Sequence, residues 1–210
     1  MKLWSNSFTN LNLIPGEYAF CVIDATHHVA LSGNRNPHLA WSEAPPNTQS
    51  FVLICYDKDV PSRGDDVNKE DREVPASLPR VDFFHWVLID IPAAQREIEA
   101  GSYSHGVTAR GKPEVLPALG NMRHGINDYT SWFAGDAEMR GDYYGYDGPC
   151  PPWNDSIVHQ YIFTLYALDV PRLRVDGQLS GQAVRLAMQK YILAQASLMG
   201  LYTLNPRLAK

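Results

Sequence analysis

Apolar residues in this chain gather into a few short runs, and their spacing predicts more strand than helix. SFVLICYD (Ser50 to Asp57) and FFHWVLIDI (Phe83 to Ile91) are nearly apolar from end to end, the pattern of central strands covered on both faces. HQYIFTLYALD (His159 to Asp169) is rich in β-branched and aromatic residues and reads as a third core strand. GEYAFCVID alternates Tyr18, Phe20 and Val22 against Ala19, Cys21 and Ile23, which predicts a strand over 16–24. The stretch His28 to Trp41 is interrupted by turn residues and predicts shorter strands.

Helical signals occur in two places. AAQREIEA (Ala93 to Ala100) follows a proline and stops at Gly101, which predicts one short helix. In SGQAVRLAMQKYILAQASLMG the positions Val184, Ala187, Met188, Tyr191, Ile192, Gln195 and Leu198 follow a helical period. Ser180 is placed to cap the start of that helix and Gly200 its end. The stripe reads as packing against the sheet, not as a cofactor box.

Two long segments show no period. Ser62 to Arg80 mixes both charge signs and reads as a solvated excursion. Ser102 to Cys150 is rich in glycine, tyrosine and aspartate; loops of this length in a compact domain are usually functional. No repeat or change in composition divides residues 1–210, so one domain is expected. Strands dominate and the main helix lies near the C-terminus, which together predict a mainly β protein, a sandwich with helical additions.

Bulk composition narrows the function classes. A chain of 210 residues with 45% hydrophobic content is able to bury a core without a metal or disulfide staple. The formal net charge of -5 gives no basic face, so no nucleic-acid partner is expected. No window reaches the ~20 apolar residues of a membrane span, and the N-terminus reads as mature protein instead of a targeting segment. Cys21, Cys55 and Cys150 are odd in number, widely spaced and fit no zinc pattern, which points to a reducing cytoplasm.

Ionisable residues mark the ends of the core strands. His159 and Tyr161 share one face of their strand while Gln160 takes the other. Asp57 and Asp59 have the same spacing where the strand before Pro61 ends, and His85 opens the run WVLID. Strand ends that meet a long Gly/Pro loop are a place to build a small pocket. Each residue also has a structural use. A histidine can satisfy local backbone groups, and one of Asp57 and Asp59 is expected to fix a turn by an Asx-type bond. Tyr161 can be core with its hydroxyl at the surface, and nothing near Cys150 predicts a reactive thiol.

These same residues resemble the phosphatidylethanolamine-binding protein family, the Raf-kinase-inhibitor-like proteins. CYDKDVP looks like its Asp-x-Asp-x-Pro signature, HWVLIDIP like its following strand, and GPCPP with HQYIFTLYALD like its Gly-x-x-Pro-Pro and Gly-x-His-Arg-Tyr block. NPHLAWSEAPPNTQSFVL and HGINDY fit its bacterial and archaeal branch. The resemblance runs from about Gly16 to the C-terminal helix. It implies two antiparallel sheets with a Greek-key core, and a small anion pocket at one end. It implies pocket walls at Asp57, His85, the Gly148 to Pro152 backbone with Cys150, His159 and Tyr161. Asp59, Pro61 and Pro151 would support them. The implied ligand is a phosphate-like anion or phospholipid head group, and the implied partner a kinase or protease. Bacterial members also suggest a homodimer, although no stretch here displays an interface.

The chain departs from the family pattern at Gln160, where an arginine is expected, and at Val158, where a glycine is expected. By strand alternation, the missing arginine should disturb a supporting ion pair more than ligand contact. The excursion at 62–80 looks longer than in compact bacterial members and would lie beside the pocket entrance, as a lid or a partner surface.

Two imidazoles and a phenol would give three donors to a phosphate, while Asp57 would orient a histidine or meet the ammonium of a zwitterion. No cofactor or metal is expected. A hydrolase using Asp57, His85 and His159, with a metal or as a general base, is the alternative. It lacks a G-x-S-x-G or H-E-x-x-H context.

Overall fold

In the computed structural model, which describes residues 1–209, the apolar runs become the middle of the protein. In chain order the strands are β1 (Lys2–Trp4), β2 (Cys21–Asp24), β3 (His28–Leu31), β4 (Leu39–Ser42), β5 (Ser50–Pro61), β6 (Arg80–Pro92), β7 (Glu97–Ile98), β8 (Arg123–His124), β9 (His159–Leu168) and β10 (Ile192–Tyr202). Two helices, α1 (Tyr129–Trp132) and α2 (Gly181–Met188), complete the set. An antiparallel sheet in the order β10-β9-β5-β6-β8 holds the three expected core strands side by side. A smaller sheet, β1-β4-β7, packs across it, and β2-β3 forms a hairpin.

Alternation along the central strands feeds two cores. Phe51, Leu53 and Cys55 of β5 face Leu39, Trp41 and Ile98 of the small sheet in the main core, and Trp41 meets Phe51 edge-on at 5.5 Å. Val52 and Ile54 face the opposite way, onto Val184 and Met188 of α2. Sheets buried on both faces need no polar alternation, which is why these strands read as continuous apolar runs.

The fold is mainly β with antiparallel sheets and a short C-terminal helix, as expected, but two helices predicted from the sequence are corrected. In the stretch 93–100, Glu97 and Ile98 pair with Ala40 and Leu39 as an edge strand. Ile98 is buried there, and tertiary pairing overrides a short helical pattern. The long C-terminal helix ends at Met188. Ser180 does cap it, accepting the Ala183 N–H at 3.3 Å. From Ile192 onward the chain instead pairs with the whole of β9. Burial there alternates with period two, and β9 would otherwise present an open edge. Gly200 is therefore no helix cap. It lies across from Tyr161, where a Cβ would collide with the Ile14 side chain. The N-terminal strand prediction also shortens, since Gly16–Tyr18 forms a single 3₁₀ turn and the strand begins at Cys21.

Two of the three cysteines pair, which their spacing along the chain did not suggest. Cys21 and Cys150 form a disulfide across 129 positions, and only Cys55 is a free thiol. Wide spacing hid the pair, because the two cysteines meet only after β2 and the Gly148 to Pro152 loop come together. The Phe20 and Cys21 N–H groups both donate to the Pro149 carbonyl, at 2.9 and 3.2 Å.

Candidate functional site

The site begins with a fault in the ladder between β5 and β6. Cys55 pairs with Trp86 and Tyr56 with Phe84, so His85 has no partner across β5. An inserted residue of this kind turns side chains away from strict alternation. His85 and Trp86, adjacent in sequence, thus both face the main-core side: Trp86 sinks into the core while His85 lines a cavity. One step along, Asp57 stands between Phe83 on β6 and Tyr161 on β9. Asp57, His85 and Tyr161 form the polar floor of a cavity of about 630 Å³.

The ring of His85 is fixed from several sides. Its Nδ1 donates to the Asp147 carbonyl at 2.7 Å, and the Asp147 N–H returns a bond to the His85 carbonyl at 3.0 Å. The rings of Phe83, Tyr161 and Tyr129 surround it at centroid distances of 4.9, 5.2 and 5.5 Å. Burial holds its pKa below the ordinary histidine value, against the pull of Asp57. Burial thus favours the neutral ring, whose Nε2, with the proton on Nδ1, presents a lone pair. Among the described residues that atom has no partner, and neither has the Tyr161 hydroxyl. Burial and the nearby Asp57 push the Tyr161 phenol well above its usual pKa, so it keeps its proton.

His159 does not take the place expected of it. The side chain is wholly enclosed, Nδ1 lies 2.7 Å from Asp57 Oδ2, and Nε2 lies 3.0 Å from Asp155 Oδ2. Neither nitrogen is free for a ligand. Burial opposes its charge, but the two carboxylates outweigh it and raise the pKa to about 9. Asp155 in turn takes a forked pair of bonds from Arg80 at 2.6 and 3.1 Å. Its pKa is lowered despite burial, through His159 and Arg80. The result is a buried row of alternating charge, Asp57–His159–Asp155–Arg80, behind the cavity floor. Gln160, on the other face of β9, takes no part in the wall; the guanidinium of the cluster comes from Arg80.

The Gly148 to Pro152 loop also differs from expectation. Its prolines have no N–H to offer, and the Gly148 N–H is already donated to Asn34 at 2.8 Å. Gly148 lies outside the cavity wall. It is glycine because a Cβ would strike the Tyr18 carbonyl. The remaining donor of the loop is the Cys150 N–H. Cys150, Pro151 and Pro152 line the cavity, together with Pro61 at the end of β5.

Asp59 braces the strands, accepting the Gln160 N–H at 2.9 Å, and Asp57 caps its own turn by accepting the Asp59 N–H at 2.8 Å. Among the described residues no group of His, Cys, Asp and Glu converges as a metal site requires.

Sequence reasoning missed several residues that set the geometry. Asp147 accepts from Lys112 at 2.6 Å, Asn34 at 2.8 Å and Asn127 at 2.8 Å, which fixes the carbonyl that orients His85. Tyr129 closes the cavity side and bonds the Gly148 carbonyl at 2.8 Å. Trp132, Phe133 and Met139 extend the apolar wall. All come from distant or aperiodic segments. The signals were the length of the 102–150 loop and the HGINDY motif within it, which holds Asn127 and Tyr129. The 62–80 excursion is less free than its charge suggested. Asn154 donates to the carbonyls of Asp66, Lys69 and Arg72 and accepts the Asn68 N–H, while Ser62, Arg63, Gly64, Val67 and Asn68 border the cavity.

A β-sandwich with a cavity floored by an aspartate, a histidine and a tyrosine at strand ends describes a class of binding fold. Comparison with known proteins places it: residues 4–203 match the model of the phosphatidylethanolamine-binding protein family, and the chain belongs to that family. It is 30% identical to the UPF0098 protein YbhB of Escherichia coli over 97% of this chain and 100% of that protein. It is 32% identical to a UPF0098 protein of Aquifex aeolicus over 96% and 88% of the two chains. The crystal structure of Escherichia coli YbcL, described as a new member of the mammalian PEBP family, superimposes with a TM-score of 0.67 at 24% identity, covering 96% and 97% of the chains.

Proposed function

We propose that this protein is a non-catalytic binder of a small phosphate-like oxyanion, free or as a phospholipid head group, held over Asp57, His85 and Tyr161. The observation that carries the reading is the pair of buried polar atoms without partners, His85 Nε2 and the Tyr161 hydroxyl, at the end of one cavity. A buried polar group left unpaired costs about 1–3 kcal/mol, and two converging on one space are accounted for by a ligand that occupies it. Tyr161 and the Cys150 N–H supply donors. Family membership supports the reading.

Enclosure of His159 favours binding over hydrolysis, since the Asp57–His159 pair has no nitrogen left to act as a base. Modulation of a kinase or protease would follow if ligand occupancy alters the mouth formed by the 62–80 excursion. The Cys21–Cys150 bond moves the expected setting from the cytoplasm to an oxidising compartment.

NMR titration with inorganic phosphate and with phosphoethanolamine tests this. Saturable shifts at His85 and Tyr161 are expected. Tyr161→Phe should keep or slightly raise the melting temperature, because it deletes only an unpaired hydroxyl, yet weaken binding about tenfold or more. Unchanged spectra at millimolar concentrations of both ligands would sink the reading.

A further inference from the structure

We infer that Lys112 is a positioning residue for the cavity. Its ammonium, held on the Asp147 carboxylate, keeps the neighbouring His85 ring neutral and so fixes Nε2 as an acceptor toward the ligand space. The inference concerns the floor itself and holds whatever small ligand the cavity receives.

The first observation is where this lysine lies. Thr108, Ala109, Arg110, Pro113 and Glu114 are exposed, yet Lys112 among them is only 7% exposed. Lysine is almost never enclosed unless it is paired, and one inward residue in a surface segment has to be put there. Gly111 does this. Its φ is +87°, and a Cβ would strike the Asp142 carbonyl, so the two segments cross closely only with glycine at this position.

The second observation is what the ammonium meets. Lys112 Nζ donates to Asp147 Oδ1 at 2.6 Å, deep inside the protein. The other side-chain donors to Asp147, Asn34 and Asn127, are neutral amides. Among the described residues Lys112 is the one cation paired with Asp147. The carbonyl of that same aspartate takes the His85 Nδ1–H at 2.7 Å. The charge balance of Asp147 therefore bears directly on the imidazole.

The third observation is the contrast between two enclosed histidines. His159 touches Asp57 and Asp155 through its two nitrogens, and their charges hold a proton on it. His85 touches no carboxylate oxygen. The groups facing its ring are Asp57 from β5, His159 and Tyr161 from β9, Tyr129 from α1, and Asp147 from the loop. Asp57 is balanced by His159, and Asp147 by Lys112. No unbalanced negative charge is left to draw a proton onto His85. Without Lys112, Asp147 would be a buried carboxylate lacking a counter-charge, and protonation of His85 would supply one. The same ammonium adds to the burial that disfavours a charge on His124.

NMR of the intact, oxidised protein without ligand tests this by following the His85 ring nitrogens through pH. In the wild type the ring should be neutral near pH 7, with its proton on Nδ1. Lys112→Met should hold an added proton on His85 about tenfold more tightly, so the imidazolium appears closer to neutrality. Lys112→Arg should behave as wild type. Lys112→Met combined with Asp147→Asn removes both charges, keeps the carbonyl, and should restore the wild-type titration. An unaltered His85 titration in Lys112→Met overturns the inference. So does a shift that persists in the double variant, since lost packing and not charge would then be its cause. If Lys112→Met does not fold, Asp147→Asn alone decides. It leaves the ammonium unbalanced and should loosen the His85 proton; a tighter or unchanged proton overturns the inference.

Titration with inorganic phosphate at about pH 6 separates this inference from the oxyanion reading. Lys112→Met should bind phosphate several-fold more tightly than wild type, because a charged His85 forms a stronger hydrogen bond to an anion. Equal, measurable affinity in both overturns Nε2 as the atom that meets the ligand. Phosphate binding to neither protein counts against the oxyanion reading alone, because the ligand-free titration decides the role of Lys112.

Discussion

Asp57 and His159 meet at 2.7 Å with both side chains out of reach of water. The bond joins β5 to β9 directly beneath the cavity floor, so the aspartate that borders the ligand space is also the partner that keeps a buried imidazole charged. Asp57→Asn should therefore act first on stability. It leaves His159 with one carboxylate in place of two, and breaking a buried ion pair from one side costs roughly 3–5 kcal/mol. Urea unfolding of the variant checks this, and a loss below about 1 kcal/mol would show that the pair contributes little.

Two histidines set opposite limits on the pH range of stability. The pKa of His159 rises from 6.5 to about 9 on folding, so the folded protein holds the proton more tightly. Its contribution is complete below about 6.5 and disappears as pH rises toward 9. Burial and Lys112 depress His124 from 6.5 to about 3, so its contribution is present above 6.5 and fades as pH falls. Thermal stability measured across pH should peak near neutrality and decline on both sides. His159→Gln should flatten the alkaline limb and His124→Gln the acid limb. A wild-type profile still rising at pH 9 would contradict the assignment of His159.

Reduction of the Cys21–Cys150 bond opens a loop of 129 positions. Chain-entropy arguments assign roughly 4–5 kcal/mol to closures of this length. Stability with and without a phosphine reductant, and in Cys21→Ser with Cys150→Ser, should differ by a few kcal/mol. Because both cysteines line the cavity, the reduced protein should also bind phosphate more weakly.

Asn154 holds the 62–80 excursion by bonds to three of its carbonyls. Asn154→Ala should release it locally. Trypsin should then cut at Arg63, Lys69 or Arg72 several times faster than in the wild type, with a loss of global stability of about 1–3 kcal/mol. Unchanged cleavage would mean that the excursion is held by something other than Asn154.

How much was legible differs by element. The runs around Phe51, Trp86 and Phe163 announced central strands because burial on both faces leaves a continuous apolar record. Asp57, Asp59, His85 and Tyr161 were also visible, since ionisable residues at the ends of such runs stand out. The last apolar segment was ambiguous: Val184, Met188 and Ile192 satisfy a helical period, while Ile192, Ala194 and Ala196 satisfy a period of two. Only the open edge of β9 resolved it.

What the sequence determined by itself was local and repetitive: which stretches must leave water, and where polar groups interrupt them. What the tertiary structure alone decided was pairing between distant positions. It brought Cys21 to Cys150, enclosed His159 between Asp57 and Asp155, and paired Arg80 with Asp155. Hydrophobic spacing repeats along the chain and can be read from it. A single hydrogen bond or disulfide between residues far apart leaves no periodic trace, and depends on a register that exists only once the sheets have formed.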